Sequence, residues 1–396
     1  MSDRNSTTLP GGTPPTIRVT SESVRIVPIN GSRDLRRFIR LPSSFYADDP
    51  AWIPPLLIER REQFSPRNPY FAHAHCCFWL AYRGTRPVGR ISAQIDELHE
   101  ARYRDATGFF GLLEAENEAD TFRALLSTAE TWLRNQGMSR IRGPFNLSIN
   151  QECGLLVEGY DTPPMIMMGH ARPYYADRIA AEGYQRSKDL LAYRVTTDFT
   201  PPALMRAAVN KAAGCVRIRP LRRPSMNEEL RILKEIFEDA WSANWGFIPF
   251  TEEEFRHLGH SLRLLVDDEG VQIAEVDGIP AGMIIALPNL NEAIRDLHGR
   301  LLPFGWLKLL WRLKVKRPTT ARVALMGIRK YFQRSALGTA LAFMLIDAVR
   351  GYGIRRGIRE VELSWILEDN MRMRDMLAII GGVPYKRYRI YEKALQ

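Results

Sequence analysis

The stretch Val323-Ala-Leu-Met-Gly-Ile328, Arg329-Lys-Tyr-Phe, Gln333-Arg-Ser-Ala-Leu-Gly338-Thr-Ala-Leu341 reads as a strand that turns into a helix. An apolar, partly β-branched run is followed by Leu337, Leu341, Met344, Leu345 and Ala348 at helical spacing, before Gly351. Small residues at such a turn let backbone N–H groups approach an anion, and the helix N-terminus adds positive partial charge. The segment therefore predicts a pyrophosphate site. It is neither a P-loop, since no Gly-Lys-Ser/Thr follows, nor the glycine triplet of a dinucleotide fold. A further strand, Val361-Glu-Leu-Ser-Trp-Ile366, follows the helix, so the unit belongs to the α/β class.

The same order of signals occurs earlier in the chain. Val24-Arg25-Ile26 with Pro28 is echoed by Val216-Arg217-Ile218 with Pro220. Ala81, Pro87, Gly89 and Ile91 recur as Ala274, Pro280, Gly282 and Ile284, each set with a hairpin turn before its proline (Arg83-Gly84; Asp277-Gly278). The distance from first strand to hairpin agrees, 57 residues from Val24 to Ala81 and 58 from Val216 to Ala274. Phe122, Leu125, Leu126, Ala129, Trp132 and Leu133 form the matching helix before Gly137, and Gly183 with Tyr193 matches Gly381 with Tyr391. A length of 396 residues allows two or three domains at roughly 150 residues each. The expected organisation is two tandem mixed-sheet α/β domains, 23–197 and 214–396, joined by a linker, 198–213. Residues 1–22, rich in Ser, Thr, Gly and Pro and lacking the apolar core of a signal peptide, read as a disordered arm.

Gln333 to Gly338 resembles the Q/R-x-x-G/A-x-G/A signature of the GNAT superfamily of acyl-CoA N-acyltransferases. Asn370 after the strand, the closing Gly381 and the final strand Tyr388 to Tyr391 match that family's later landmarks. The resemblance implies two GNAT-like domains, the second with the acyl-CoA site. Gln333, Arg334, Ser335, Ala336, Leu337, Gly338 and Thr339 would hold the pyrophosphate, and Met326 and Ile328 the pantetheine. It implies acyl-CoA as cosubstrate and no resident cofactor. Two positions depart from the pattern. Ala336 stands in a usual glycine place, and Leu377 stands where the family often has a tyrosine acid; a thiol of pKa near about 8.5 leaves tolerably without one. In the first copy, Gly108-Phe-Phe-Gly-Leu-Leu113 leads into Glu114, Glu116, Asn117 and Glu118, an acidic turn that would repel pyrophosphate. That copy is expected to bind no coenzyme A.

The implied chemistry is attack of a neutral amine on the thioester, so an ammonium must first lose a proton. Glu362, Glu368 and Glu152 are the candidate bases, with Glu368 preferred because it stands beside Asn370, the family residue near the thioester. Gly143-Pro-Phe-Asn146-Leu-Ser148-Ile-Asn150-Gln-Glu152-Cys153-Gly154 is dense in amides, which demand partners when buried. Asn146 and Asn150 are either loop scaffolding or substrate-binding groups; Trp365 is a third substrate-binding candidate. Cys153 has no evident histidine partner and reads as a small buried residue rather than a nucleophile. His73-x-His75 and His257-x-x-His260 lack a carboxylate or cysteine companion, so no metal site is expected.

The chain carries 55 Lys+Arg against 45 Asp+Glu, a formal charge of +10. From Arg300 through Arg334 there are ten basic residues and no acidic one. Within that block 301–317 reads as a helix with Lys308, Arg312 and Lys316 along one stripe and two tryptophans on an apolar face. It suits either the interface of an anionic membrane or packing on its own domain with a basic rim. No nucleic-acid motif accompanies the patch, so nucleic acid is not an expected partner. Four cysteines without a CxxC pair suit a reducing compartment, and no apolar run reaches ~18 residues. The expected location is cytoplasmic, with peripheral contact at the inner face of the membrane through 301–317.

Pro144 through Gly159, with Phe145 and Leu147 at variable places, is similar to the P-x-N-x-S-x-N-x-E-C-G-L-L-V-E-G segment of a narrower group of tandem GNAT-like bacterial proteins. That group includes bacterial ceramide synthases. The similarity implies transfer from a long-chain acyl-CoA to the amine of a sphingoid base, including its 3-oxo form. The alternatives are an acetyltransferase of a small amine or protein lysine, and a noncatalytic acyl-CoA or lipid-binding module. The acetyltransferase predicts no lipid partner and a narrow acyl channel, so whether an apolar tunnel runs from the turn near Gln333 toward the face between the copies discriminates the readings.

Overall fold

Each half of the chain lays down six matching strands in the same order. In the first they are Val24–Pro28 (β1), Ala74–Arg83 (β2), Arg86–Asp96 (β3), Thr107–Ala115 (β4), Arg140–Gly143 (β5) and Gln185–Thr196 (β6). In the second they are Val216–Pro220 (β7), Val271–Val276 (β8), Ile279–Pro288 (β9), Thr320–Ile328 (β10), Glu360–Leu367 (β11) and Val383–Ala394 (β12). The structure, a computed structural model, describes residues 23–263 and 265–395; the arm read over 1–22 lies outside them. The second hairpin closes on Asp277 and Gly278, both at positive φ, as a two-residue turn matched to strand twist requires.

All twelve strands join one sheet in the order β1-β2-β3-β4-β5-β12-β6-β11-β10-β9-β8-β7, and Leu155–Glu158 pairs additionally with β12. The closing strands are thus exchanged. β12 pairs with β5 of the first half, β6 pairs with β11 of the second, and the two lie antiparallel to each other at the centre. Asp189 on β6 is fully buried there and accepts from Arg389 Nε at 2.8 Å and Arg387 Nη1 at 3.1 Å, both on β12. A division at 198–213 therefore separates two chain segments but not two sheets. That segment, read as a linker, carries the helix Ala203–Ala212, whose Met205 and Ala212 are buried in the second half's core.

The helix after β4 is Ala119–Asn135 (α1), with Phe122, Leu125, Leu126, Ala129 and Leu133 buried at the expected spacing. Before β8 come Met226–Trp241 (α2) and Glu252–Leu262 (α3). Gly305–Trp311 (α4) continues into a π-helical turn, Arg312–Lys316. Ala336–Arg356 (α5) follows β10. It runs through Gly351, the expected stop, and ends on Gly357 at φ +74°, which satisfies the left-handed cap. This helix is long and apolar enough to cross a membrane, and its inner face is packed into the core of the second half. Met371–Ile379 (α6) precedes β12.

In each half the central parallel pair holds together at one end only. β4 and β5 pair over Thr107–Phe109 with Arg140–Arg142, and β10 and β11 over Thr320–Val323 with Glu360–Leu363. Beyond those residues the strands part, leaving one gap per half.

Candidate active site

The gap beyond Val323 is open. It forms a cleft of about 830 Å³ lined by Met326, Ile328, Gln333, Arg334, Ser335, Ala336, Gly338, Thr339 and Asn370, with Trp241 and Asn244 opposite. The turn is fixed from within. Gln333 Nε2 donates to the Ile328 carbonyl at 2.8 Å and the Ala240 carbonyl at 3.2 Å, and Ser335 Oγ accepts from Gly338 N at 3.0 Å as the helix cap. A Cβ on Gly338 would overlap the Phe332 carbonyl oxygen, so the glycine is a steric requirement of the turn. The first-turn N–H groups of α5 have no intrahelical carbonyl to meet, and they lie at the cleft. Leu337 is the exception among the expected residues, for its side chain packs on the core and only its backbone remains for an anion. Arg372, which no motif had singled out, also lines the cleft and adds a cation.

Asn370 caps α6, its Oδ1 accepting from Met373 N at 3.2 Å. Leu377, at the position of the family's tyrosine, is fully buried in the core. Trp241, Asn244, Trp245 and Leu367 line both the cleft and, behind it, an apolar chamber of about 240 Å³. Leu230, Leu233 and Phe237 of α2, Phe255, Leu258 and Leu262 of α3, and Ala324, Leu325 and Trp365 of the splayed strands wall it. Trp365 Nε1 is buried without a hydrogen-bond partner among the described residues. Its ring lies 4.7 Å under the Arg322 guanidinium. Asn150 and Cys153 reach the same chamber. Asn150 Nδ2 donates to the Ile248 carbonyl at 3.0 Å, and burial pushes the Cys153 thiol up to about 12, which removes it as a nucleophile at neutral pH.

Met167, Leu258 and Leu262 are shared in turn with a third cavity, of about 900 Å³, between the two halves. The cleft, the chamber and this cavity thus adjoin one another in series through shared walls. Carboxylates and cations of the first half wall this cavity, including Glu114, Glu152, Arg60 and Arg90. Glu152 accepts from Arg60 Nη2 at 2.6 Å and from Asn146 Nδ2 at 3.0 Å. Burial alone would raise its pKa, but the Arg60 guanidinium and the Asn146 amide hold it below the ordinary carboxylate value.

The other two carboxylates expected as bases are committed elsewhere. Glu362 is fully buried, accepts from Ser364 Oγ at 2.6 Å and from the Tyr385 hydroxyl, and lies 3.8 Å from Arg322. Glu368 is tied to Arg186 and accepts from Asp189 N at 3.2 Å. Neither lines any of the three cavities, although Leu367 and Asp369 on either side of Glu368 and Asn370 beyond it line the cleft. A titratable group that no motif had singled out, His170, stands at the cavity between the halves as well. Its Nε2 lies 2.9 Å from Asp49 Oδ2, and its Nδ1 is buried with no partner among the described residues. Burial lowers its pKa from the ordinary imidazole value, against the opposing pull of Asp49. Asp49 is 121 positions away, so no local spacing could have disclosed the pair.

His73 is an ion-pair residue, with Nδ1 3.2 Å from Asp96 and Nε2 3.2 Å from Glu254 on α3 of the other half. Burial opposes its charge, yet the two carboxylates raise its pKa to about 10. His75 pairs with Glu97 at 3.0 Å, and His257 lies 3.7 Å from Glu62.

No family model matches the chain. It is 50% identical over 363 residues to Protein YghO of Escherichia coli (strain K12), covering 91% of this chain and 93% of that one. It is 46% identical over 380 residues to the bacterial ceramide synthase of Caulobacter vibrioides (strain NA1000 / CB15N), covering 95% of this chain and 99% of that one. Among solved structures, the tandem GNAT protein from the clavulanic acid biosynthesis pathway, without AcCoA, matches 94% of this chain and 99% of its own at a TM-score of 0.54 and 16% identity, a likeness of fold.

Proposed function

The chain belongs to the family of tandem GNAT-fold acyltransferases that contains the Caulobacter bacterial ceramide synthase, and from that premise we propose that it joins a long-chain acyl group to the amine of a sphingoid base. The observation that carries this reading is the apolar chamber behind the cleft. An acetyl group would leave those walls without contacts, whereas each methylene of a long chain buried there contributes about 0.8 kcal/mol. That argues against the small-amine acetyltransferase.

In this reading the pyrophosphate of acyl-CoA lies on the first turn of α5 with Arg334 and Arg372 beside it, and the pantetheine follows Met326 to Ile328 through the gap. The acyl chain fills the chamber. The base enters from the cavity between the halves, whose mix of apolar wall and carboxylates suits an ammonium-headed amphiphile. His170 Nδ1 takes the ammonium proton, Asp49 stabilises the imidazolium, and Glu152, fixed by Arg60 and Asn146, shapes the wall. The neutral amine forms the C–N bond as the C–S bond breaks, and the second proton shed by the amide nitrogen passes to the departing thiolate, so that coenzyme A leaves as the free thiol.

The test is incubation of the purified protein with sphinganine and 3-oxosphinganine across acyl-CoA chain lengths, following amide and free thiol together. Amide formation should rise with chain length from acetyl upward. Acetylation of a polyamine or of lysine peptides, with no amide from any long chain, would sink the reading.

A further inference from the structure

The helix α4 has two exposures that one packed helix rarely combines. Leu309 and Leu313 pack on the core around Leu290 and Ile294, and with Trp306 and Leu310 they line the cavity between the halves. The other side faces solvent. Leu307 is 47% exposed and Trp311 53%, and in the turn before them Leu302 is 80% and Phe304 72% exposed. Monomeric proteins seldom leave so many large apolar groups together in water. Cations surround the patch. Asp296 holds Lys308 and Arg312, while Arg300, Lys314, Lys316 and Arg317 form no ion pair among the described residues.

Resting on the proposed function, we propose that this face docks on an anionic bilayer and that the cavity behind α4 opens into the headgroup layer, so that the long-chain amine passes from membrane to cavity past Trp306 and Leu310. Tryptophan at the boundary, apolar groups below it and lysine stems reaching up to headgroups match an interfacial helix. Charge decides between a bilayer and a second copy of the chain. A symmetric dimer through this face would bring the same unpaired cations together, whereas an anionic surface neutralises them.

The test compares the full-length protein with the triple variant Phe304→Ser, Leu307→Ser, Trp311→Ser, whose three positions do not line the cavity. The parent should float with vesicles containing phosphatidylglycerol and much less with phosphatidylcholine alone, with release by salt. The variant should retain its melting temperature and acyl-CoA affinity while its floated fraction falls about tenfold. Uptake of a fluorescent long-chain amine from phosphatidylglycerol vesicles should slow by a similar factor, with uptake of a water-soluble short-chain amine unchanged. Equal flotation by parent and variant, wild-type lipid uptake by the variant, or a parent dimer that the variant splits would each overturn the proposal. Flotation and uptake need no turnover. If both behave as expected and no amide forms from any base, the docking face stands and the sphingoid acceptor falls.

Discussion

The two halves carry the same gap between parallel strands and use it in opposite ways. In the second half the gap beyond Val323 is open and backed by an apolar chamber. In the first it is filled by the chain itself. Leu112 N donates to Asn146 Oδ1 at 2.8 Å, Gln94 Nε2 to the Phe145 carbonyl at 2.8 Å, and the Tyr70 hydroxyl to the Leu147 carbonyl at 2.9 Å. A Cβ on Gly111 would strike the Phe145 carbonyl, so the inserted segment lies directly on β4. With its gap filled, the first half serves as a wall: Glu152 and His170 both face the cavity between the halves. Of two like units, one has kept its gap open and the other has filled it.

The largest expected effect tests whether the filled half supplies chemistry. His170→Gln should lower kcat by about a hundredfold or more, with acyl-CoA binding unchanged. In the parent the rate should fall only at pH below the ordinary histidine value of 6.5, because the neutral ring is the active form and burial lowers its pKa. A variant that keeps the parent rate would confine the chemistry to the open half.

Next comes the turn. Ala336→Glu imports the charge of the first half's acidic turn at a helix start, where a carboxylate is favourable to the helix itself by about 0.3–1 kcal/mol. Acyl-CoA affinity should drop about a hundredfold, or about 2.7 kcal/mol, with no loss of thermal stability. Calorimetric titration measures it, and unchanged affinity would remove the turn from the binding site. Gly338→Glu is a poorer probe, since the Phe332 carbonyl leaves no room for any side chain.

Smaller effects concern how the first gap is filled and how the halves are held. Asn146→Ala strands the Leu112 N–H and removes a partner of Glu152, which should cost about 1–3 kcal/mol in urea unfolding. An effect near zero would mean the inserted segment is not what closes the gap. His73→Gln should cost about 2 kcal/mol near neutral pH. The sign follows from a folded-state pKa of about 10 against 6.5: the stabilisation is complete below pH 6.5 and lost as pH rises through about 10. The variant should flatten that dependence, and a parent whose stability does not fall over this range would contradict the clamp.

Local pattern made much of this legible. The paired hairpins, the helix after each fourth strand and the anion turn all rest on residues within a dozen positions of one another. What stayed hidden depends on distant partners. β6 and β12 end in the same Gly-to-Tyr spacing, so nothing local says that each completes the other half's sheet. Glu368 stands beside Asn370 in sequence, yet Arg186 and the Asp189 amide claim it. The amide-dense segment declared its need for partners, but not that those partners line the gap between β4 and β5. The apolar stripe of α4 was plain, although its division between a cavity wall and an open face required the fold.

The exchanged strands also set the order of events at the ribosome. β5, paired with β4 on one side, acquires its other neighbour only when Val383–Ala394 has been synthesised, some 240 residues later. Until then the nascent first half carries an unpaired edge, the kind of surface that invites aggregation. The same dependence restricts evolution by recombination. A donor half cannot be transplanted as a contiguous gene segment unless it also finds, in its new host, the strand that closes its sheet.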